Sequence, residues 1–373
     1  MQYTAHYSPF SADNKLDEIA AWQALLPNSL EAYAYHLAFA QAKIEGFKTG
    51  YVTVFEAEKI VLIAPVFVMD YALDSTVLGK LKAFTTKLRS LFPKLMTLRL
   101  LCVGSAVTDS AQIGFESLNT EIIQTLNQKL EEIASLEKAS VIAFKDVTEA
   151  DLAQLKSPLQ GLGFSVVDNM PVAKNSIHFN SLDEYLASIS YRTRKGLRRK
   201  MKSFSQLRIE EHDGMPPQLD EIVRLYLNCY EKSELKFEKL TQDFFVNLAK
   251  LMPNNCRFVL YYSDNKLIGF NCLLHGNGVL MDKYIGLDYA KSLDLNLYSL
   301  SWLHNISMCI RDGFHTFQSG QAAYETKLRL GATLERAYIV FKHRNRLINP
   351  FLKMASCVLA YGNFDAAIKK TQQ

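Results

Sequence analysis

The sequence predicts an α/β (α+β mixed-sheet) chain of two similar domains in tandem, and three observations predict it. One is size: 373 residues exceed one ordinary domain and suit two. Another is element order, because hairpin, strand, helix, strand, helix, strand runs twice along the chain. The third is the glycine corner that closes each copy, Gly161-Leu162-Gly163-Phe164 in the first and Leu330-Gly331-Ala332 in the second. Together they place an N-terminal domain at 1–175 and a C-terminal domain at 176–373.

In the first copy, Leu16 to Leu26 and Leu30 to Ile44 carry apolar stripes at helical spacing, the second ending near Gly46. Tyr51, Thr53 and Phe55 alternate into a turn at Glu56–Lys59. The apolar run Ile60 to Met69, which contains Pro65, then returns as the buried half of a hairpin. Leu78 to Phe92 is helical by period, Thr97 to Val103 is a strand, and a Gly/Ser/Thr/Asp loop spans Gly104 to Gly114. Asn119 or Thr120 can cap a helix to about Leu136, since Ile122, Ile123, Leu126, Leu130 and Ile133 repeat at helical spacing. Val141 to Phe144 is a short buried strand, Glu149 to Leu159 a helix, and Phe164 to Val167 the strand after it.

The second copy opens with a strand at Arg208 to Glu211 and helices at Gln218 to Tyr230 and Thr241 to Leu251. Phe258 to Ser263 and Leu267 to Leu274 form a hairpin around the turn pair Asp264–Asn265. A strand at Val279 to Ile285, a helix at Leu295 to Ile310, a strand at Phe314 to Gln318 and a helix at Ala322 to Leu330 follow. Glu335 to His343 is the expected last strand. Between the copies, Ser181 and Glu184 make a capping box, opening a helix expected over 181–204 and weakened at Gly196. A tail helix is expected over 350–370, packed on its own domain. Its apolar Phe351, Leu352, Met354, Val358 and Leu359 follow basic Lys342, His343, Arg344 and Arg346, which leaves an interfacial or lipid-facing role open.

Composition excludes several classes. With 49% hydrophobic and 21% charged residues the chain is an ordinary globular one. No stretch of 18 uncharged apolar residues occurs, so stable membrane insertion is not expected. A basic leader followed by an apolar run is also missing from the N-terminal residues, and a cytoplasmic location is expected. Six cysteines are widely spaced, without C-x-x-C or a nearby histidine, so neither a metal site nor a disulfide framework is expected. The net charge of +4 is unevenly spread: Arg192, Arg194, Lys195, Arg198, Arg199, Lys200 and Lys202 crowd together, with no acid between Glu184 and Glu210. Such a block is either a solvated helix face or a phosphate contact, to coenzyme A or to an RNA backbone.

Three stretches of the second half carry a family likeness. They are Ser188-Ile-Ser-Tyr-Arg-Thr-Arg-Lys-Gly-Leu-Arg-Arg-Lys; Lys266-Leu-Ile-Gly-Phe-Asn with Met281-Asp-Lys-Tyr-Ile-Gly; and Ser319-Gly-Gln-Ala-Ala-Tyr-Glu-Thr-Lys-Leu-Arg-Leu-Gly-Ala. In order, they resemble the Arg/Lys-bearing helix, the central hairpin with fourth strand, and the closing helix of the GNAT superfamily. The nearest likeness is to its double-domain branch with the Fem-type peptidoglycan aminoacyl ligases. The resemblance spans residues 175 to 350 and, by element order alone, 50 to 172. It implies two tandem GNAT-like domains. One stretch departs from the pattern: where GNAT enzymes carry a Gln/Arg-x-x-Gly-x-Gly/Ala loop for the coenzyme A pyrophosphate, this chain reads Gly286-Leu-Asp-Tyr-Ala-Lys-Ser-Leu-Asp-Leu-Asn-Leu. Donor identity is therefore open.

The resemblance implies direct attack of an amine on an acyl donor between splayed fourth and fifth strands, with no covalent enzyme intermediate. Asp282 and Tyr284 alternate with Met281 and Lys283, so both are expected on one strand face as base and acid; Asp282 is equally able to pair with Lys283 or a neighbouring strand. His275 is a second candidate base, or a turn residue beside Gly276-Asn277-Gly278. Tyr324 and Lys327 share a helix face and are expected to meet a phosphate or leaving group, while Glu325 and Arg329 also fit plain surface pairing. Gln318 and Ser319 open that helix beside the cleft. With Arg194, Arg198, Arg199, Lys283 and Lys327 they make the expected donor-binding set.

The leading expectation is an N-acyltransferase using acyl-CoA as co-substrate and a small-molecule amine as acceptor. An aminoacyl-tRNA donor is the alternative, and a non-catalytic tandem domain binding RNA or a partner is a third. The first domain is expected to be degenerate, because Val103-Gly-Ser-Ala-Val-Thr-Asp-Ser lacks basic residues and its fourth strand offers Arg99 but no Asp/Tyr pair.

Overall fold

A computed structural model describes residues 3–72, 97–233 and 236–359. The helix expected over Leu78 to Phe92, and the tail beyond Leu359, lie outside the described residues. The chain forms two compact units. The first is Met1–Met170 with Leu235–Glu238 and Arg336–Gln373; the second is Pro171–Glu234 with Lys239–Glu335.

The first unit begins with β1 (Tyr3–Ser8), α1 (Leu16–Leu25), α2 (Tyr33–Gln41), β2 (Lys48–Glu56) and β3 (Lys59–Ala72). It continues with β4 (Thr97–Val103), β5 (Gly114–Phe115), α3 (Thr120–Leu136), β6 (Val141–Thr148), α4 (Glu149–Gly161) and β7 (Ser165–Asp168). Asn119 caps α3 by accepting from Ile122 N at 2.8 Å, and Ile122, Ile123, Leu126, Leu130 and Ile133 are its buried stripe.

The second unit runs β8 (Val172–Ser176), α5 (Leu182–Ser188), α6 (Tyr191–Lys200), a 3-10 turn (Met201–Gln206), β9 (Arg208–Asp213), α7 (Leu219–Lys232) and α8 (Gln242–Leu251). Next come β10 (Cys256–Ser263), β11 (Lys266–Gly276), β12 (Val279–Leu287), α9 (Tyr289–Asp294) and α10 (Leu297–Asp312). It closes with β13 (Thr316–Gly320), α11 (Tyr324–Arg329) and β14 (Thr333–Glu335). The chain then returns to the first unit as β15 (Ala337–His343) and α12 (Asn349–Leu359). Among the described residues no helix is long and apolar enough to cross a membrane.

The two sheets repeat one plan. The first has the order β1-β2-β3-β4-β6-β15-β7, with β5 on β3; the second has β9-β10-β11-β12-β13-β8-β14. In both, every neighbouring pair is antiparallel except the fourth with the fifth, β4 with β6 and β12 with β13. This is the fold of two tandem GNAT-like domains.

The sixth strand of each sheet corrects the expected domain limits of 1–175 and 176–373. β15, the expected last strand of the second domain, lies between β6 and β7 in the first sheet. β8, inside the expected first domain, pairs with β13 and β14. An interior strand needs only a run that is apolar on both faces, which Ala337, Tyr338, Val340 and Phe341 supply as buried residues. Nothing in such a run says which sheet it enters. The tail helix α12 likewise belongs to the first unit, where Asn349 donates to Gly163 O and accepts from His343 N, both at 2.8 Å.

The long helix expected over 181–204 is also corrected. Ser181 caps the helix by accepting from Glu184 N at 3.2 Å, and the Glu184 carboxylate reaches back one residue past the cap, accepting from Asn180 N at 2.9 Å. Ile189, however, is extended (ψ 164°), and Ser190 caps a new helix by accepting from Thr193 N. A serine able to cap ends one helix and starts another.

Close packing around β12 gives a direct test of this fold. A Cβ on Gly286 would meet the Phe270 ring at 2.2 Å and the Leu225 backbone at 2.8 Å. Gly286→Ala is expected to destabilise the protein by about 1–3 kcal/mol, because backbone cannot yield as a flexible side chain does. An unchanged urea midpoint would contradict this packing.

Candidate active site

β12 and β13 pair in parallel over only three positions, the last being Met281 with Gln318, yet β12 continues to Leu287. The two strands therefore part just where Asp282 begins. On its other side, β12 pairs with β11 through a register jump: Leu273 faces Asp282 but Cys272 faces Tyr284, leaving Lys283 as an extra residue. This is a β-bulge, and it reverses the alternation beyond it.

Asp282 and Tyr284 consequently lie on opposite faces, which corrects the expected acid/base pair. The Tyr284 ring packs against Tyr226 of α7 and Phe244 and Phe245 of α8, with centroids 6.2, 5.7 and 6.0 Å away. Asp282 faces α10. Asn271 Nδ2 donates to its two carboxylate oxygens at 3.0 and 2.9 Å, and Asn305 Nδ2 donates to Oδ2 at 3.2 Å. Burial pushes the Asp282 carboxyl up to about 6, against the opposing pull of the two amides and of Lys327. Burial, reinforced by the Asp282 charge, also raises the phenols of Tyr261 and Tyr298. Beyond Tyr261, Glu211 accepts from Arg311 at 2.9 and 2.8 Å and meets His304 at 3.1 Å, and these bonds to Arg311 hold its carboxyl below the usual range.

At the end of β13, the buried Lys327 ammonium donates to three carbonyls, Ser319 O at 2.5, Gly320 O at 3.1 and Gln321 O at 2.9 Å. The turn it ties is left-handed at Gly320, Ala322 and Ala323 (φ 70°, 66° and 52°), a conformation that strains the two alanines. Tyr324 and Lys327 do share a helix face, but it is the inner one. The Tyr324 hydroxyl is buried and donates to Pro171 O at 2.8 Å, so the expected contact with a phosphate or leaving group is corrected to a structural bond. Gln318 is buried beside the parting of the strands, and Ser319 Oγ donates to Ala173 O at 3.3 Å.

His275 is not brought to Asp282. It stands at the hairpin end of β11, 4.0 Å from Asp213 and against the Phe314 ring, and burial with nearby Arg257 lowers its pKa.

The basic block divides by task. Arg194 donates to the carbonyls of Leu186, Ala187 and Ile189 at 3.3, 3.0 and 3.3 Å, so it closes the C-terminus of α5 and is corrected from a donor contact to a cap. Arg198 makes an exposed pair with Asp183 at 3.4 Å. Lys200 reaches the first turn of α10, donating to Ser299 Oγ at 2.8 Å. Its pKa is lowered by burial and by two cations, Arg329 and Arg199. Sequence reasoning names Lys200 only as part of the basic block and does not bring Arg329 to it. Arg329 stands four residues from Glu325 and fits surface pairing, which it also makes at 3.6 Å. The place of the missing glycine loop is taken by the short helix α9 and by Asn296, left-handed at φ 56°.

In the first unit the corresponding strand ends are occupied by chain. Residues 104–108, which follow β4, are buried; Gly104 N donates to Pro65 O at 2.8 Å and Ala111 N to Asp146 O at 2.9 Å. Tyr35 adds a bond to Val107 O at 3.0 Å, and Lys145 ties Thr108 O to Asp146.

Known proteins resemble this chain along most of its length. The sequence profile of the FemAB-like family, described as peptidoglycan biosynthesis/recognition, matches residues 18–355. A Mycobacterium tuberculosis protein named putative 8-amino-7-oxononanoate synthase 2 is 22% identical over 256 residues, 66% of this chain and 33% of that one. The chain thus spans about a third of the length of that curated relative. Among solved structures, FemX superposes with a TM-score of 0.59 at 13% identity, covering 95% of this chain and all of that one (100%). A tandem GNAT protein from the clavulanic acid biosynthesis pathway gives 0.54 at 11%, covering 91% and 98%. At such identities the structures speak for the fold.

Proposed function

We propose that this chain, which belongs to the FemAB-like family of peptidoglycan biosynthesis and recognition and is a GNAT-fold transferase, moves an acyl group directly onto an amine in its second unit, with Asp282 as base. The observation that carries this reading is a carboxylate held by two buried amides on the strand that borders the β12–β13 opening, where burial pushes its pKa up to about 6. A base with that pKa is ionised at neutral pH and still basic enough to take a proton in the transition state. Asp282 accepts a proton from the acceptor nitrogen, the nitrogen lone pair forms the new C–N bond, and the carbonyl becomes an oxyanion. Backbone N–H groups of β12 beyond Met281 are the donors proposed for that oxyanion. As the tetrahedral species collapses, the bond to the leaving thiol or ribose hydroxyl breaks and Asp282 returns the proton to it.

For the donor, an acyl-CoA thioester is the leading reading and an aminoacyl-tRNA the alternative. Lys200, Arg199 and Arg329, at the N-terminus of α10, suit the phosphates of either one. The exposed remainder of the basic block, including Arg198, favours the longer polyanion. Both donors are cytoplasmic, and we place the reaction there, with a small-molecule amine as acceptor and no metal. The first unit is proposed to be a scaffold, because its own loop fills the equivalent strand ends.

Salt dependence separates the donors. A tRNA contact neutralising about six phosphates is expected to weaken about 10³-fold between 50 and 200 mM salt, whereas a coenzyme A pocket responds far less. Paired Arg198→Glu and Arg199→Glu substitutions should then abolish tRNA binding at moderate salt. Thermal-shift titrations with acyl-CoA species of increasing chain length, run beside charged tRNA, decide the matter. A donor at a hundredfold excess over its Kd stabilises by about 2.7 kcal/mol. A shift with tRNA alone overturns the thioester; no shift with either favours a binding module.

A further inference from the structure

We infer that Asn271 and Asn305 are positioning residues for Asp282, holding its carboxylate in place and keeping it ionised through their amide N–H groups. The inference rests on the reading of Asp282 as base. Asn271 comes from the middle of β11 and Asn305 from the middle of α10, and both are fully buried (0% exposed). Their surroundings are apolar: Val259, Leu273, Leu280, Leu303 and Ile306 belong to the same core cluster. At such positions an amide is less stable than an aliphatic side chain unless its polar atoms are matched. Here only the donor half is matched. The side-chain amides of both residues donate to Asp282, while Oδ1 of Asn271 and Oδ1 of Asn305 are buried without a partner. Two amides that present only donors to one carboxylate favour its charged form. The Lys283 bulge completes the device, since a regular strand would have placed Asp282 and Tyr284 on one face.

Other ionisable groups around Asp282 can be separated from it. They are Lys327 of α11, the phenols of Tyr261 on β10 and Tyr298 on α10, the Cys272 thiol on β11, and its chain neighbour Lys283. Burial raises both phenols and the thiol, away from neutrality. His304, adjacent to Asn305, turns to Glu211 at 3.1 Å and has its pKa lowered by burial.

The test uses Asn271→Leu and Asn305→Leu in the full chain, with Asn271→Ser and Asn305→Ser as gentler variants that keep a donor. The acid limb of the kcat pH profile should move up by about one pH unit in each Leu variant, since lost donors destabilise the carboxylate. KM should stay constant. On the acid limb, at about pH 5, kcat should fall roughly tenfold; it should recover above about pH 8, and Ser should restore part of the loss. A second readout needs no turnover: the pH dependence of urea stability, taken as the difference between each background and its Asp282→Asn partner. Its inflection, near pH 6 for the unaltered background, should rise in the Leu backgrounds. An unmoved inflection overturns the inference, whatever the enzyme does. A raised inflection with an unmoved rate profile supports the amide contacts and overturns Asp282 as base.

Discussion

Asp282→Asn is expected to lower kcat by about 10²–10⁴ while leaving folding and KM intact, the range typical of a lost general base. The substitution is nearly isosteric: an amide oxygen in the place of Oδ2 still accepts from Asn271 and Asn305, while the NH2 in the place of Oδ1 loses the second Asn271 bond, a cost that does not change with pH. A distinctive companion effect lies in stability. The Asp282 carboxyl sits at about 6 in the folded protein against an ordinary 3.8, so the folded state binds its proton more tightly than the unfolded chain does. The resulting stability is full below about pH 4 and is lost as pH rises through 6, amounting to about 3 kcal/mol once the group is ionised. Asp282→Asn should therefore gain on the wild type by up to that amount between pH 4 and pH 7.5. Urea midpoints of the two proteins at both pH values measure it. Retained turnover at neutral pH would remove Asp282 from the mechanism, and a difference that fails to change with pH would remove the burial argument beneath it.

Where local chemistry decides the structure, the residues announced it. Asp264 and Asn265 form the left-handed hairpin turn (φ 50° and 59°), and the corner glycines Gly163 and Gly331 take φ 87° and 81°. Asn119 and Ser181 cap the helices they were expected to cap. The repeated element order is the order of two like sheets. What escaped required knowing which distant segments meet. An apolar run such as β15 fits any interior position, so its transfer to the first sheet left no local mark. The bulge at Lys283 arises from pairing with β11, and strict alternation therefore misplaced Tyr284. Arg194 looked like its basic neighbours, but a cap on α5 exists only once the chain breaks at Ser190. Asp282 itself could be singled out as an acid on a strand beside the expected cleft. Asn271 and Asn305 could not, because an amide at an apolar helix or strand position shows its purpose only when its partner is seen.

Lys327→Met should bring the largest loss of stability, about 3–5 kcal/mol. Methionine matches the lysine stem in length and apolar character, so the change isolates the ammonium. Three carbonyls, of Ser319, Gly320 and Gln321, lose their shared donor in a buried place, and each unsatisfied group costs about 1–3 kcal/mol before relaxation. The left-handed turn at Gly320, Ala322 and Ala323 also loses the tether that offsets its strain. For a chain of this size the melting temperature should drop by roughly 10 °C. Lys327→Arg should recover only part of it, because a planar guanidinium directs its donors along a fixed fork and cannot converge on three carbonyls as an ammonium does. The charge has a second consequence at Asp282, whose carboxyl Lys327 helps to hold down. Without it the acid limb of the rate profile should move to higher pH in Met, and stay in place in Arg, where the charge remains. Calorimetry and pH–rate profiles on the same three proteins therefore separate the two tasks. A melting temperature within a degree or two of wild type for Lys327→Met would show that those carbonyls find other donors, and the clamp would have to be abandoned.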